Sequence, residues 1–232
     1  MSALLANVMG SEKTKMAPLI QTFFENVNQK HIMVYFPDEE LQAIGDKANI
    51  TGKIVDVDKN VDYLHLNDAN FASAKTNIFI TQKIDHDIKV ANGVATHKIS
   101  VTYTNPSPGS NCNLEKGGLC LNASTYRNLF RFYTPTGSKL IKMTGSEIET
   151  VQYEELNKQV FEGFYGNRSG LNPQSSLKTS IEYTSGTTVG NSYSLLLQKQ
   201  PGTKSVEYQI TINGQKLPKF DWIADKTIKF SL

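Results

Sequence analysis

Alternation of apolar and polar residues is most regular between residues 77 and 105. Most apolar side chains occupy even positions in 77–90 and odd positions in 94–105. Such alternation is typical of strands with one buried face. Asn92 and Gly93, between the two segments, form the strongest two-residue hairpin signal, because both turn positions require a positive φ. The pattern therefore predicts a long β-hairpin.

A two-residue turn also fixes the register of this hairpin. It pairs Ile84 with Val101 and Ile88 with His97, so the apolar stripes of both strands lie on one side of the sheet. His86 and His97 fall on this buried side at diagonal positions. Zinc sites need at least three protein ligands, and the sequence shows no third ligand, so we interpret both residues as core or rim histidines.

Helical spacing of apolar residues marks the amino-terminal part of the chain. Residues 11–28 predict an amphipathic helix. A second helix is predicted from Pro37, because proline and the acidic residues that follow it are favoured in a first turn. The apolar run 31–36 between them predicts a short strand, and residues 62–66 predict the next strand.

The rest of the chain predicts strands separated by turns. The segments that alternate or are continuously apolar are 126–133, 139–143, 159–164, 175–183, 193–199, 205–212 and 227–232. Asn213-Gly214 adds a second hairpin signal, and 144–146 (Thr-Gly-Ser) predicts a domain boundary. The predicted fold is mostly β with an amino-terminal α/β part. A long β-hairpin sheet in residues 1–146 is followed by an Ig-like β-sandwich in residues 147–232.

Composition and motifs restrict the classes of function. The net charge of +2 is too small to favour a nucleic-acid partner. No apolar run reaches the roughly 20 residues needed to span a bilayer, so no direct membrane insertion is predicted. The sequence has neither a G-x-S-x-G nucleophile motif nor a Gly-rich phosphate loop. These observations favour a protein that is not an enzyme and uses no cofactor.

Polar residues cluster after the strand predicted at 62–66. Amide, carboxylate and amine groups in a loop suit a sugar or phosphate ligand, since loops on rigid scaffolds carry function. Alternatively, Asn and Asp satisfy the backbone of a tight turn. Arg127 and Arg131, four residues apart in a predicted strand, would share a face and grip a phosphate or carboxylate, or would be ordinary surface charges. The candidate ligand-binding residues are Asn67, Asp68, Asn70, Lys75, Arg127 and Arg131.

A second acidic segment resembles the start of a calcium-binding loop, D-x-D-x-N. Its candidate ligands are Asp56, Asp58, Asn60 and Asp62. The pattern then fails, because Val61 stands where the loop needs glycine and Asn67 where it needs a bidentate glutamate. The alternative is a solvated edge strand whose valines face inward.

Several stretches carry a resemblance to a known family. They are 63–70 (YLHLNDAN) with 74–77 (AKTN), 126–128 (YRN) with 133–138 (YTPTGS), and 197–203 (LQKQPGT). In the same order, they resemble the bacterial family called domain of unknown function 4012 (DUF4012). The helix, strand and helix predicted ahead of them also fit this family, so the resemblance covers nearly the whole chain.

The resemblance implies an extracytoplasmic location at the cell surface. Members of the family are envelope proteins with an amino-terminal membrane anchor and an upstream domain distantly similar to glycopolymer phosphotransferases. This chain resembles only their carboxy-terminal region, so we expect the anchor to lie in a missing amino-terminal segment. The expected partners are an envelope glycopolymer or the upstream domain of the same protein.

Three functions remain open on the sequence. The first is a non-catalytic extracytoplasmic module of a bacterial cell-envelope protein, structural or ligand-presenting. The second is an accessory, substrate-contacting part of an envelope glycopolymer transferase, acting through the candidate ligand-binding residues. The third is an adhesin-like binding sandwich. The sequence shows no nucleophile motif, metal set or phosphate loop, which favours the first.

The two cysteines of the chain predict a disulfide. Cys112 and Cys120 lie eight positions apart in a segment, 106–125, that is rich in Gly, Pro, Ser and Asn. A crosslink there would stabilise the fold by roughly 2–3 kcal/mol by restricting the unfolded chain. Two cysteines alone do not complete a structural zinc site. Free thiols are the alternative if the protein is cytosolic, where disulfides are rare.

Overall fold

The computed structural model describes residues 10, 13–72, 75–108, 125–166, 168 and 170–232. Strands dominate and the α-helices lie near the amino terminus, so the predicted mostly-β fold class is confirmed. The chain forms two compact units. One contains the described residues up to Lys53 with Pro201–Thr203, and the other contains Ile54–Gln200 with Lys204–Leu232. Cys112 and Cys120 lie outside the described residues, so their disulfide stays a prediction.

The first unit contains two α-helices, α1 (Lys13–Asn28) and α2 (Glu39–Lys47). Asp38 caps α2, because its Oδ1 accepts a hydrogen bond from the backbone N–H of Leu41 over 2.9 Å. Within the described ranges, neither helix is long and apolar enough to cross a bilayer. Both helices expose large apolar side chains: Leu19, Ile20, Phe23, Phe24, Leu41 and Ile44.

The strand predicted at 31–36 does not form, and that prediction was wrong. Met33 and Tyr35 are 51% and 78% exposed, so the apolar run is not buried by a sheet. The backbone N–H of Phe36 instead donates to Oε1 of Gln42 over 2.9 Å. An apolar run predicts a strand only where a partner strand satisfies its backbone, and here a side chain of α2 does so.

The second unit contains thirteen strands among the described residues. In chain order they are β1 (Asp62–Asn70), β2 (Thr81–Ala91), β3 (Val94–Asn105), β4 (Asn128–Pro135), β5 (Lys139–Thr144), β6 (Val151–Glu155), β7 (Lys158–Tyr165), β8 (Ser175–Thr188), β9 (Ser192–Leu197), β10 (Val206–Ile212), β11 (Gln215–Lys216), β12 (Phe220–Trp222) and β13 (Lys226–Ser231). A six-stranded sheet has the order β13-β9-β1-β4-β7-β6. A seven-stranded sheet has the order β11-β10-β2-β3-β8-β5, with β12 paired to β10.

The predicted hairpin forms the centre of the seven-stranded sheet as β2 and β3. Its register pairs Ile84 with Val101 and Ile88 with His97, as the two-residue turn requires. Both turn residues have a positive φ, 52° and 74°. The second predicted hairpin is also present, because β10 and β11 are joined through Asn213-Gly214. Both hairpin predictions are confirmed.

The two sheets pack face to face around one hydrophobic core. The six-stranded sheet contributes Phe130, Phe132 and Phe161, which are fully buried. The seven-stranded sheet contributes Ile99 and Tyr183, which are also fully buried. Burial of these large side chains between two sheets is the main stabilising term of a β-sandwich.

The strands after residue 146 do not form a sandwich of their own. β8 pairs with β3 in an antiparallel arrangement. β9 pairs in parallel with β1, and β10 pairs in parallel with β2. Each sheet therefore combines strands from both sides of 144–146. The predicted division into domains 1–146 and 147–232 is wrong, because alternation along a strand does not reveal which strands become its neighbours.

Candidate functional site

The polar residues predicted to form a binding loop lie instead in strand β1, which continues to Asn70 rather than ending at Leu66. Successive side chains of a strand point to opposite faces of the sheet. Asn67 therefore contacts residues on the outer face, whereas Asp68 contacts the opposite sheet. The six candidate residues do not converge on one site.

On the outer face, Asn67 holds Arg131. The two residues are cross-strand partners on β1 and β4. Nε and Nη2 of Arg131 donate to Oδ1 of Asn67 over 3.2 and 2.7 Å. The guanidinium also lies 5.8 Å from the centre of the Tyr133 ring. Arg127 precedes β4 and is exposed, so the two arginines do not form the predicted grip, and Arg131 alone is fixed in place.

Polar and aromatic side chains continue across the outer face of four paired strands, β1, β4, β7 and β6. One row runs Asn67, Arg131, Glu162 across β1, β4 and β7, and the next contains Tyr133 and Tyr153. The tyrosines donate to carboxylates, Tyr133 to Glu155 over 2.8 Å and Tyr153 to Glu162 over 3.0 Å. We call this surface the outer polar face; it consists of Asn67, Arg131, Tyr133, Tyr153, Glu155 and Glu162.

A small apolar cluster limits the outer polar face on one side. Tyr63 and Val160 pack there against Tyr133, and the partly buried side chains of Ile54 and Val57 pack against these three residues. The hydroxyl of Tyr63 donates a hydrogen bond of 2.6 Å to Oε1 of Gln198. Arg131, Tyr153 and Glu162 are partly exposed, although Tyr153 also packs against this cluster. They give the face a cation, an aromatic ring and a carboxylate that reach solvent.

Asp68, on the other side of β1, joins strands inside the sandwich. Its carboxylate accepts hydrogen bonds from Tyr103 over 2.8 Å, from Gln82 over 2.6 Å and from Asn128. Burial raises the pKa of Asp68, although these hydrogen bonds act in the opposite direction. Because the donors come from β2, β3 and β4, Asp68 connects the two sheets. This is a structural role rather than the predicted ligand contact.

The remaining two candidates lie around the turn that follows β1. Oδ1 of Asn70 accepts from the backbone N–H of Ala72 over 2.9 Å, and its Nδ2 donates to Oδ1 of Asn77 over 3.1 Å. Asn70 thus satisfies a turn, as the alternative interpretation of this segment expected. Lys75 precedes a short 3₁₀ helix, Thr76–Ile78, and is exposed.

The calcium candidates are separated by the fold. Asp62 is fully buried at the start of β1, whereas Asp58 and Asn60 are exposed. In the described part of the chain, no three His, Cys, Asp or Glu side chains are placed to hold a metal ion. The four side chains therefore do not converge: Asp62 serves the core, and Asp56 lies 3.5 Å from the ammonium of Lys158.

Asp56 and Asp58 do line a cleft, at the end of the six-stranded sheet. The cleft has a volume of about 440 Å³. Its polar lining comes from residues 56–61, from the turn after β4, from the β6–β7 turn and from the end of β8. We call it the Lys158 cleft; its polar groups are Asp56, Asp58, Lys59, Thr136, Asn157, Lys158, Thr187 and Thr188. No sequence pattern linked its four segments, because they are distant along the chain.

A chain of hydrogen bonds crosses the core near β1. Nε2 of His97 and Oδ2 of Asp62 are 2.9 Å apart, Nδ1 of His97 and Nε2 of His86 are 2.8 Å apart, and Nδ1 of His86 and the hydroxyl of Tyr208 are 2.8 Å apart. We call it the buried histidine chain. The predicted core position of both histidines is confirmed, but no pattern indicated the link to Asp62.

One assignment of protons satisfies the whole buried histidine chain. Tyr208 donates to neutral His86, His86 donates to neutral His97, and His97 donates to the Asp62 carboxylate. Ser185 and Tyr193 also donate to Asp62, over 2.9 and 3.0 Å. Burial, together with the nearby His97, lowers the pKa of His86 well below its usual value. Each member is at most 2% exposed, so a substrate in solvent does not reach the chain.

Comparison with known proteins gives little similarity. No protein family and no curated protein matches the chain in sequence. An M1 zinc metallopeptidase from Deinococcus radiodurans is similar over 66% of this chain, with 8% identity and a TM-score of 0.35. Leukotriene A4 hydrolase from Saccharomyces cerevisiae is similar over 65%, with 8% identity and a TM-score of 0.30. The chain spans only 39% and 29% of those two proteins, and scores this low do not indicate a shared fold.

Proposed function

We propose that the chain is a non-catalytic, ligand-presenting module of a bacterial cell-envelope protein, and that its outer polar face binds an envelope glycopolymer. The observation that carries this proposal is the fixed guanidinium of Arg131. Asn67 accepts two of its N–H groups, which orients the rest of the fork on a partly exposed surface. A planar cation held in this way suits phosphate or carboxylate groups, with two parallel hydrogen bonds.

The neighbouring groups fit a sugar-containing polymer better than a simple anion. Tyr153 offers a ring face and a hydroxyl, and Glu155 and Glu162 offer acceptors for sugar hydroxyls. A chain of sugars and acidic groups would use the acceptors and Arg131 together. A small anion would use Arg131 alone and would be repelled by the two glutamates. The DUF4012 resemblance supports the same class of ligand.

Binding of purified wall glycopolymer to the intact chain, measured by isothermal titration calorimetry, tests the proposal. Arg131→Gln should weaken binding at least tenfold, because the oriented fork is lost. Lys178→Gln is the matched control, since Lys178 is an exposed cation on the outer face of the other sheet. Equal losses in both variants, or no binding to the intact chain, would contradict the proposal.

The extracytoplasmic location is part of the same proposal, and the Cys112–Cys120 disulfide tests it. Protein purified without reductant is denatured, alkylated and weighed as the intact chain. We expect no added label, because a disulfide leaves no thiol to alkylate. A fully reduced sample, which should gain two labels, is the control. Two labels without reduction would count against both the disulfide and the proposed location.

A further inference from the structure

We propose that the Lys158 cleft is a binding site for one neutral sugar unit. Lys158 is 2% exposed, yet the polar contacts of its ammonium with described residues are long. Its two polar contacts, with the backbone oxygen of Asn157 and with Oδ1 of Asp56, measure 3.4 and 3.5 Å. Both are at the outer limit of hydrogen bonding. A buried ammonium with contacts this long gains from a shorter hydrogen bond to a ligand.

The lysine is nevertheless held in one position. Its ammonium lies 4.8 Å from the centre of the Tyr63 ring, which supplies a cation–π contact from behind. Burial lowers the pKa of Lys158, and the neighbouring Asp56 acts in the opposite direction. Tyr63 itself is fixed by its hydrogen bond to Gln198. The ammonium of Lys158 is therefore held in place at the wall of the cleft.

The partners of Lys158 are also loosely joined to one another. Nδ2 of Asn157 is 3.5 Å from Oδ1 of Asp56, and the side chain of Asp56 is 66% exposed. Amine, amide and carboxylate thus surround one small volume without a short bond between any two of them. A hydroxyl group placed there would accept from Lys158 and donate to Asp56, and both bonds would be shorter than the contact that they replace.

The charge of the lining selects a neutral ligand. Asp56 and Asp58 oppose an anion, and Lys59 and Lys158 oppose a cation. A polyol meets neither repulsion, since each hydroxyl both donates and accepts. Val57 and Val61 supply apolar lining for the C–H face of a sugar ring. The volume of about 440 Å³ falls within the range of about 300–1,000 Å³ for small-molecule pockets.

Backbone strain in the turn between β6 and β7 supports a binding role for the Lys158 cleft. The two-residue turn between β6 and β7 has a positive φ at both residues, 50° at Leu156 and 56° at Asn157. Leucine is disfavoured in this conformation, which Asn-Gly would adopt readily. The turn delivers Asn157 and Lys158 to the cleft. None of the cleft residues belongs to the outer polar face, so the proposal stands independently of glycopolymer binding there.

A ¹H–¹⁵N NMR titration of the intact chain tests the proposal, with glucose and N-acetylglucosamine as probes at up to about 50 mM. We expect saturable shifts confined to the amides of 56–61, 156–158 and 186–188, with a Kd on the order of 1 mM for so open a site. Inorganic phosphate and glycerol are the comparison ligands. Equal shifts with phosphate would make the cleft an anion site and overturn the proposal, as would no shift with either sugar.

Two variants locate the binding. Lys158→Met keeps the stem over Tyr63 but removes the ammonium, and it should weaken sugar binding at least tenfold. Asp56→Asn changes a largely exposed group, so it tests the same cleft even if the lysine variant does not fold. Lys216→Met, at an exposed lysine in β11, is the matched control. Arg131→Gln should leave the sugar shifts unchanged, which separates this result from that of the outer polar face. Unchanged binding in both cleft variants would overturn the proposal.

Discussion

His97 donates from Nε2 to Oδ2 of Asp62 over 2.9 Å, although the two residues lie 35 positions apart on strands of different sheets. Asp62 opens β1 of the six-stranded sheet, and His97 lies in β3 at the centre of the seven-stranded sheet. Their hydrogen bond therefore crosses the core and ties the two layers together. Since Ser185 and Tyr193 donate to the same carboxylate, it accepts hydrogen bonds from three different strands.

We expect Asp62→Asn to destabilise the protein by about 3 kcal/mol, because the amide places N–H groups against donors that the carboxylate satisfied. Urea unfolding followed by circular dichroism measures the free energy of unfolding. Asp58→Asn, at an exposed carboxylate of the neighbouring turn, should change it by less than about 0.5 kcal/mol. A loss of the same small size for Asp62→Asn would mean that the carboxylate does not hold the sheets together.

Acidification should weaken the fold through His86. The pKa of His86 in the folded protein is well below its usual value of 6.5, because the ring is buried and lies beside His97. Below about pH 6.5, His86 therefore binds a proton in the unfolded chain but stays neutral in the folded chain. The free energy of unfolding consequently falls as the pH falls. This single group contributes a slope of up to about 1.4 kcal/mol per pH unit. The groups that face it are Tyr208, His97 and, through His97, Asp62.

The variant that isolates this effect is His86→Phe. It should be less stable than the parent protein at pH 8, since Tyr208 and His97 lose a partner, but its stability should depend less on pH between 6.5 and 5. His31→Gln is the control, because His31 is exposed and should leave the slope unchanged. Guanidinium unfolding at several pH values provides the comparison. An undiminished slope in His86→Phe would assign the effect to other groups.

Sequence patterns predicted the β2–β3 hairpin correctly, because its pairing depends on residues that are close along the chain. The β2–β3 register followed from the turn length and the alternation, which independently require the same pairing. The candidate site was harder, because its residues depend on strands that are distant in sequence. Asn67 and Asp68 were expected in a loop, since both residue types are depleted in strands. β1 continues through them because Arg131 and Tyr103, on neighbouring and facing strands, satisfy their side chains.

The strained turn between β6 and β7 offers a stabilising substitution. Leu156 has a φ of 50° and is 59% exposed, so its side chain contributes little burial to offset the strain. We expect Leu156→Asn to raise the free energy of unfolding by about 1 kcal/mol, since asparagine tolerates this conformation. Leu156→Ala is the control, because alanine removes the side chain but keeps the Cβ that causes the strain. Similar gains in the two variants would point to the exposed leucine rather than to the backbone.

The pairing of β8, β9 and β10 with strands from the first half of the chain predicts how fragments behave. Residues 147–232 alone lack β1 to β5, so β7, β8, β9 and β10 each lose a neighbouring strand. One sheet loses two of its six strands, and the other loses three of its seven. We expect this fragment to stay unfolded, whereas residues 54–232, which keep all thirteen described strands, should unfold cooperatively. Trp222, the single tryptophan, is 4% exposed in β12. Its fluorescence should be shifted to the red in 147–232 and should match the full chain in 54–232. A blue-shifted Trp222 and a well-dispersed NMR spectrum from residues 147–232 would contradict the shared sandwich.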